Sequence, residues 1–398
     1  MTVLVADAFS ADAQARLADA GLTVIDRPGL SGEDLAAALA EHDPQVLVVR
    51  STKVSAEAMD AARGLELIVR AGAGVDTIDV AGASERGIFV ANCPGKNAAA
   101  VAELTFGLLL ALDRRIPDNV IAAREGRWDK KGFSSARGLR GRTLGVLGLG
   151  NIGREVITRA RAFGMPVVAW SRSLTAEAAA ALGVTHAATP LDLARRSDAV
   201  SVHVASTPET RHLVDADFLA AMPDGSTLLN TSRAEVVDEE AVAEAVRAGR
   251  IRYATDVPAG EPQAKTGDFA HPLADAAYIT HHVGASTDEA TEAIGQEAAR
   301  VILAYAETGR VDNGVNLAAQ TPATHLLTVR HLDRVGVLAG VLGEIREAGW
   351  NVQEMENLVF EGAEAACARL RIEGDPDEAT LDRIRAVDHV LNATAIAL

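Results

Sequence analysis

A glycine-rich turn between an apolar strand and a helix constrains the fold of this chain more than any other segment. The turn lies after the apolar run TLGVL, before the helical run REVITRARAF, and reads Gly148-Leu149-Gly150-Asn151-Ile152-Gly153. The first glycine permits a tight turn, the second lets the backbone approach a pyrophosphate, and the third allows close packing of helix on strand. The helix that follows offers free N–H groups to phosphates. The pattern predicts a dinucleotide-binding turn; the alternative is an ordinary glycine-rich connection.

The residues after the next strand bear on which dinucleotide is bound. An NAD-binding turn of this kind is usually followed about 20 residues later by an Asp or Glu that binds the ribose hydroxyls. Here that position is Ser171, followed by Arg172 and Ser173. An arginine flanked by hydroxyls can accept a 2′-phosphate. The segment favours NADP or the use of both dinucleotides; alternatively, Arg172 is solvated and NAD binds through the remaining contacts.

Composition and charge exclude several classes of protein. The 398 residues carry a net charge of −17, which argues against binding nucleic acid or an anionic membrane through bulk charge. The hydrophobic and charged fractions, 48% and 23%, are those of a globular protein. The sequence shows no transmembrane run and no signal peptide, and its two cysteines cannot form a four-cysteine zinc site. We expect a soluble, reduced, cytoplasmic protein without a metal site.

Strands and helices alternate along most of the chain, a pattern typical of parallel α/β sheets. Two long apolar helices, at 98–114 and 287–309, would carry the chain out of a first α/β unit and back into it. The predicted fold is therefore α/β, with two doubly wound, Rossmann-like parallel sheets, a cleft between them, and a small C-terminal βαββαβ module. The predicted domains are a substrate-binding domain at 1–97 and 288–316, a dinucleotide-binding domain at 98–287, and a C-terminal domain at 324–398.

Three residues suited to acid–base chemistry follow predicted strands of the second unit: Arg233, Glu261 and His282. The carboxyl ends of such strands face the ligand crevice. Reduction of a 2-oxo acid needs a proton donor, which a histidine oriented by a carboxylate can supply, and an arginine that holds the substrate carboxylate. Each residue alone has an ordinary alternative: a salt bridge, a solvated loop or a capped helix start. His281 competes with its neighbour for the acid–base role, and the residue types do not decide between them.

Taken together, these motifs resemble the D-isomer-specific 2-hydroxyacid dehydrogenases over residues 1–316. Besides the glycine turn, the resemblance is carried by the segments VRSTKV (49–54), RAGAGVD (70–76), NTSR (230–233), EP (261–262) and HVGAST (282–287). It implies that Arg233, Glu261 and His282 form the catalytic set, and it selects His282 over His281.

The resemblance also implies which residues hold the ligands. The backbone around Ala73, Gly74 and Val75 would cradle the substrate carboxylate, which suits the N–H groups of a glycine-flanked turn. Arg50 and Lys53 would bind a substrate phosphate. Besides the glycine turn, Ser171 and Arg172, the implied cofactor-binding residues are Val204, Thr231, Ser232, Asp256, Gly284 and Ala285. Among them, Asp256 would bind the nicotinamide amide.

Residues 324–398 resemble a regulatory ACT domain, through the run RHLDRVGVL (330–338) and Asn351. By that resemblance, a serine effector would contact His331, Asp333 and Asn351. A strand-to-helix loop is suited to holding an amino-acid carboxylate. The alternatives are a different amino acid, or a dimerisation module without an effector.

The resemblance implies an enzyme, and within the family it is nearest to the branch that oxidises 3-phospho-D-glycerate to 3-phosphohydroxypyruvate at the start of L-serine biosynthesis. One alternative is an NADPH-dependent reductase of hydroxypyruvate or glyoxylate, which the Ser171–Arg172 segment favours. Another is a dinucleotide-sensing scaffold resembling the corepressors of the same superfamily. Family members are usually dimers or tetramers, so a homodimer or homotetramer is expected.

Overall fold

The computed structural model describes residues 1–262 and 267–398 of the chain. The chain divides into two compact units, Met1–Asn316 and Leu317–Leu398. None of the helices described is both long and apolar enough to cross a membrane. The predicted division of the first unit into two domains, at 97/98 and 287/288, stays a prediction.

The first sheet of the larger unit is built from short buried strands with helices between them. Its elements are β1 (Thr2–Val5), α1 (Ala11–Asp19), β2 (Thr23–Asp26), α2 (Gly32–His42), β3 (Val46–Val49), α3 (Ala56–Met59), β4 (Leu67–Arg70), α4 (Val80–Glu85) and β5 (Phe89–Asn92). All neighbouring strands are parallel, in the order β2-β1-β3-β4-β5. The central strand β3 is buried along its whole length, because helices cover both faces of such a sheet.

The second sheet contains the glycine-rich turn. Its elements, with the long helices on either side, are α5 (Ala98–Arg114), α6 (Ile116–Arg124), β6 (Leu144–Leu147), α7 (Asn151–Ala162), β7 (Val167–Trp170), α8 (Ala176–Ala181), β8 (Thr185–His186), α9 (Pro190–Arg195), β9 (Ala199–Val202), α10 (Ala216–Ala221), β10 (Ser226–Asn230), α11 (Glu239–Arg247), β11 (Ile251–Thr255), β12 (Tyr278–Ile279) and α12 (Asp288–Thr308). The strands are parallel in the order β12-β11-β10-β9-β6-β7-β8. The winding direction reverses between β6 and β9, and ligands of doubly wound sheets bind at the carboxyl ends of the strands beside such a reversal.

The two long helices pack on different sheets. Ala102, Phe106 and Leu109 of α5 lie in the core beneath the second sheet, with strand residues of β6 and β7. By contrast, Ile294 and Ile302 of α12 lie in the core of the first sheet. Both helices agree with the sequence-based prediction to within one residue at each end.

The C-terminal unit is a four-stranded antiparallel sheet with two helices. Its elements are β13 (His325–Leu332), α13 (Val337–Glu347), β14 (Asn351–Val359), β15 (Ala365–Glu373), α14 (Glu378–Arg385) and β16 (Val390–Ala397). The strand order is β14-β15-β13-β16, which confirms the predicted βαββαβ topology. Alternate residues of β13 and β15 are buried, and they form one core with α13 and α14.

Candidate functional site

The glycine-rich turn has the geometry that a bound pyrophosphate requires. Gly148 has φ +107°, and a Cβ there would lie 2.5 Å from the carbonyl oxygen of His203. A Cβ on Gly153 would lie 2.2 Å from the carbonyl oxygen of Gly148, so that only glycine lets α7 approach β6 this closely. At Gly150, by contrast, a Cβ would meet no atom within 4 Å. The turn is therefore closed on its protein side and open where Gly150 faces the crevice, which fits a dinucleotide held at the helix N-terminus.

Other predicted cofactor-binding residues lie in this turn or directly follow neighbouring strands of the same sheet. Asn151 and Ile152 are the first two residues of α7. Val204 follows β9 and lies against Gly148, since a Cβ on that glycine would come within 2.9 Å of the Val204 side chain. Thr231 and Ser232 follow β10 and are buried. The Thr231 hydroxyl lies 3.0 Å from that of Thr105 on α5.

The segment predicted to contact the cofactor ribose lies among charges of both signs. Ser171 is half-buried just after β7, and Arg172 is exposed. The pKa of the Glu209 carboxyl is lowered, mainly by a hydrogen bond from Thr207 and in part by the positive charge of Arg172. An acidic group, which the sequence-based prediction missed, therefore lies within electrostatic reach of the arginine proposed to bind a 2′-phosphate.

Glu261 and His282 come together although 20 residues separate them in the chain. His282 Nδ1 lies 2.8 Å from Glu261 Oε2, and each side chain is a little under half exposed. A carboxylate accepts hydrogen bonds, so Nδ1 carries a proton. In the neutral ring, Nε2 then carries the lone pair, on the side away from Glu261. His281, the competing candidate, lies against the ring of Phe269 instead.

The backbone at His282 is held in an unusual conformation. Its φ is +52°, in the left-handed region, which costs a non-glycine residue about 1–2 kcal/mol. The His282 N–H donates to the carbonyl of Asp256 at 2.8 Å. The buried Asp256 carboxylate accepts hydrogen bonds from the N–H groups of Val283 and Gly284 and from the Thr280 hydroxyl. Asp256, predicted to bind the nicotinamide amide, thus also holds the turn that carries His282.

Arg233 lies across the crevice against the first sheet. Its Nε and Nη2 donate to Asp76 Oδ2 at 3.0 and 2.9 Å. A Cβ on Gly74 would lie 2.1 Å from Nη2, so the guanidinium rests on the turn predicted to cradle the substrate carboxylate. The buried Asn230 holds the Arg233 backbone, because its side-chain amide donates to the Arg233 carbonyl at 2.9 Å.

The 73–75 turn offers backbone donors beside that guanidinium. Within residues 1–262 and 267–398, no group accepts a hydrogen bond from the N–H of Gly74 or Val75. The Ala73 carbonyl accepts a hydrogen bond from the Asn92 side chain, which fixes the turn from behind. A carboxylate placed here would meet free N–H groups and the guanidinium of Arg233 together.

Two further arginines lie in the same region. Burial lowers the pKa of the Arg70 guanidinium, and the positive charges of Arg233 and Arg50 lower it further, although Asp76 opposes them. Arg50 reaches the loop after His282, where its Nη2 lies 3.4 Å from the Ala285 carbonyl oxygen. Lys53 is exposed in the same loop as Arg50.

A buried carboxylate organises the loop that carries Arg50. Asp7 Oδ2 accepts hydrogen bonds from the N–H groups of Arg50, Ser51 and Thr52, at 2.7, 2.9 and 2.9 Å. Sequence reasoning assigned no individual role to Asp7, Arg70 or Asp76. Of the three, Arg70 has the clearest sequence signal, because it ends a strand next to the predicted carboxylate cradle.

In the C-terminal unit, the three predicted effector residues do not converge. His331 and Asp333 lie at the end of β13, and the buried His331 ring contacts the Leu332 carbonyl and the Asn357 side chain. Asn351 begins β14 and pairs with Glu373, at the other end of the sheet. Because β14 runs parallel to β13, with β15 between them, Asn351 is level with His325 rather than with His331. These three residues thus do not lie together within one chain, and their role as effector contacts stays a prediction.

Known proteins share much of this sequence. Residues 106–284 match the family model described as D-isomer specific 2-hydroxyacid dehydrogenase, NAD binding domain. A D-3-phosphoglycerate dehydrogenase of Methanocaldococcus jannaschii is 39% identical over 79% of this chain and 59% of its own length, so the chain spans less than two thirds of that relative. A hydroxypyruvate reductase of Thermotoga maritima is 43% identical over 63% of this chain and 81% of its own length.

A solved structure gives the same result. The TT0316 protein of Thermus thermophilus superposes with a TM-score of 0.70 and 35% identity, over 79% of this chain and all of that one. The glycine turn, the strand order and these relatives all indicate the same family. The chain belongs to the D-isomer-specific 2-hydroxyacid dehydrogenases, a family of oxidoreductases with a nicotinamide-dinucleotide-binding domain.

Proposed function

We propose that this chain oxidises 3-phospho-D-glycerate to 3-phosphohydroxypyruvate with NAD or NADP, the first step of L-serine biosynthesis. The observation that carries the proposal is the grouping of Arg50, Arg70 and Arg233, with Arg50 in contact with the loop that follows His282. A chain of net charge −17 repels anions, so it must concentrate positive charge locally to bind a substrate with both a carboxylate and a phosphate. One guanidinium suffices for a carboxylate; the others are suited to the phosphate.

The substrate carboxylate would bind at the 73–75 turn. Arg233 and the N–H groups of Gly74 and Val75 are its partners in this proposal. In the free protein Arg233 pairs with Asp76, whose side chain is 61% exposed. Such an exposed ion pair contributes only about 0–1 kcal/mol, so an incoming carboxylate can replace Asp76 as the partner of Arg233.

Proton transfer would run through His282. Glu261 holds Nδ1–H, which orients Nε2 to accept the proton of the substrate C2 hydroxyl as the carbonyl forms. A nicotinamide dinucleotide, when bound at the glycine turn, supplies the acceptor for the hydride that leaves C2. Arg233 stabilises the negative charge that develops on the C2 oxygen. In the reverse direction, His282 returns the proton to that oxygen.

Both dinucleotides remain in the proposal. Ser171 and Arg172 favour NADP, because neither excludes a 2′-phosphate and Arg172 attracts it. Glu209, which interacts with Arg172, opposes that preference. We therefore propose that the chain uses both, with residues 148–153, Val204, Thr231 and Ser232 holding the parts they share.

The proposal is tested by a steady-state comparison of two substrates. The kcat/KM values for phosphohydroxypyruvate and hydroxypyruvate are measured with NADH and with NADPH. Charge-assisted hydrogen bonds contribute about 1.5–3 kcal/mol each, so the phosphate should raise kcat/KM about 10- to 100-fold. An Arg50→Gln variant should lose most of that advantage while its kcat/KM for hydroxypyruvate changes little. If removing the phosphate from the substrate costs nothing, the proposal is wrong.

A second candidate is an NADPH-dependent reductase of hydroxypyruvate or glyoxylate. The hydroxypyruvate reductase relative supports this candidate, because it is 43% identical to the chain, against 39% for the phosphoglycerate dehydrogenase. The absence of a carboxylate at Ser171 supports it as well. The same assay separates the two candidates: this one predicts equal or higher kcat/KM for the unphosphorylated acid, with NADPH preferred. The dinucleotide-sensing scaffold would instead bind NAD(H) without turning over either acid.

For the C-terminal unit we propose an ACT-like regulatory role within a homodimer or homotetramer. The βαββαβ topology supports an ACT-like domain, and the separation of Asn351 from His331 supports a site completed by a second copy. Activity with and without millimolar L-serine, for the full chain and for a chain ending at Asn316, tests regulation, and light scattering tests the assembly. If serine leaves the activity of the full chain unchanged, serine regulation is wrong.

A further inference from the structure

A hydrogen-bonded cluster lies beside the Glu261–His282 pair. Glu239, the first residue of α11, accepts two hydrogen bonds: from His271 Nε2 at 2.8 Å, and from the Ala259 N–H at 3.1 Å. The His271 ring is 2% exposed and the Glu239 side chain 14%. One carboxylate thus joins His271 to Ala259, which lies two residues before Glu261.

The hydrogen bonds fix the tautomer of His271. The Leu273 N–H donates to Nδ1 at 3.2 Å, so Nδ1 carries the lone pair and Nε2 carries the proton. His271 therefore donates to Glu239 in its neutral form, and Leu273 itself is buried. Both nitrogens of the ring are used, which leaves it one orientation.

An aromatic contact extends the cluster to His281, the residue before His282. The Phe269 ring stacks on His271, with centroids 5.7 Å apart and planes 14° from parallel. The same ring meets His281, tilted by 55°, at 6.5 Å. His281 immediately precedes His282, so the cluster reaches both backbone segments that carry the pair.

We propose that Glu239, His271 and Phe269 form a positioning cluster that sets the placement of Glu261 relative to His282. The proposal rests on the proposed function, because it concerns the proton transfer assigned to that pair. The Glu261 and His282 side chains are nearly half exposed, and such exposed contacts are too weak to fix the relative positions of two loops. Ala259 lies two residues before Glu261, and His281 one residue before His282. Asp256 already holds the turn that carries His282, and the buried cluster supplies matching support on the Glu261 side.

The test uses variants of the full chain. His271→Ala removes the donor to Glu239 and the stacking surface for Phe269. His271→Gln keeps an amide N–H at the position of Nε2 and is the conservative variant. Asp113→Asn is the matched control, because it removes the charge from a buried carboxylate in a different contact, Arg142–Asp113, whose side chains are 7% and 1% exposed.

A positioning role predicts a split between kcat and KM. With the 2-oxo acid that the wild type reduces fastest, His271→Ala should lower kcat about 10- to 100-fold, the usual cost of losing a residue that orients a catalytic group, with KM within about twofold. His271→Gln should restore kcat to within about threefold of the wild type. Asp113→Asn should lower Tm at least as much as His271→Ala, with kcat unchanged. If kcat falls equally in the two destabilised variants, or not at all in His271→Ala, the proposal is wrong.

A readout without turnover separates this proposal from the proposed function. Amide hydrogen exchange of residues 257–262 and 280–286 should be faster in His271→Ala than in the wild type, and close to wild type in Asp113→Asn. Unchanged exchange at both segments in His271→Ala overturns the cluster. A wild type that reduces no 2-oxo acid contradicts the proposed function alone, and the exchange result still decides on the cluster.

Discussion

Replacement of Gly150 by alanine separates dinucleotide binding from folding. The Gly150 backbone has φ −69° and ψ −169°, which alanine adopts without strain, and an added Cβ meets no protein atom within 4 Å. Removing a glycine at such a position stabilises a protein by about 0.4–1 kcal/mol, because the unfolded chain loses freedom. We therefore expect Tm to stay constant or to rise by about 1–3 °C.

The same Cβ would occupy the space that the pyrophosphate needs. The expected loss in dinucleotide affinity is at least tenfold, or about 1.4 kcal/mol. Gly153→Ala is the matched comparison: its Cβ would lie 2.2 Å from the Gly148 carbonyl oxygen, and such overpacking costs about 1–3 kcal/mol of stability. Differential scanning calorimetry gives Tm, and isothermal titration calorimetry gives Kd for NADH and NADPH. Wild-type affinity in Gly150→Ala would refute the argument that this face receives the phosphates.

Three further predictions concern other parts of the larger unit. Burial acts to raise the pKa of Asp7, but the N–H groups of its hydrogen-bonded loop outweigh burial and lower it, so its contribution to stability is present above about pH 4 and is lost as pH falls through the folded-state pKa. The urea midpoint of Asp7→Asn should therefore lie below that of the wild type at pH 7, and the gap should close below pH 4; a gap that is constant with pH contradicts this. Ser171→Asp should shift the ratio of kcat/KM for NADH over NADPH upward at least tenfold, because a carboxylate binds the ribose hydroxyls and repels a 2′-phosphate; an unchanged ratio places the ribose elsewhere. Arg70→Met should leave Tm unchanged or higher, since it removes a buried charge, and should raise KM for the phosphorylated acid several-fold; an unchanged KM means that Arg70 does not contact the substrate.

Local patterns predicted much of the fold. The helix α5 was predicted with the bounds that it has, because a mainly apolar segment of 17 residues is too long for a typical strand and is typical of a buried helix. The strand β2 gives no comparable signal. β2 is a half-exposed strand of four residues at the edge of its sheet, and its sequence, TVID, lacks the apolar run that marked the central strands.

The site was less accessible to sequence reasoning, because its geometry depends on contacts between distant segments. Residue type alone does not distinguish the adjacent His281 and His282. The structure distinguishes them through the positive φ of His282 and the hydrogen bonds around Asp256. The partnership of Arg233 with Asp76 joins residues 157 positions apart. The separation of Asn351 from His331 follows from the strand order of the C-terminal sheet, which residue spacing does not reveal.

The most direct test of the account is the rate of reduction of phosphohydroxypyruvate by His282→Ala, with the Kd for NADH measured on the same preparation. If His282 exchanges the proton at the C2 oxygen, kcat should fall by about 10²–10⁴, and Kd should stay within about twofold of the wild type. A variant that keeps the wild-type kcat would contradict the assignment of the Glu261–His282 pair as the acid–base centre.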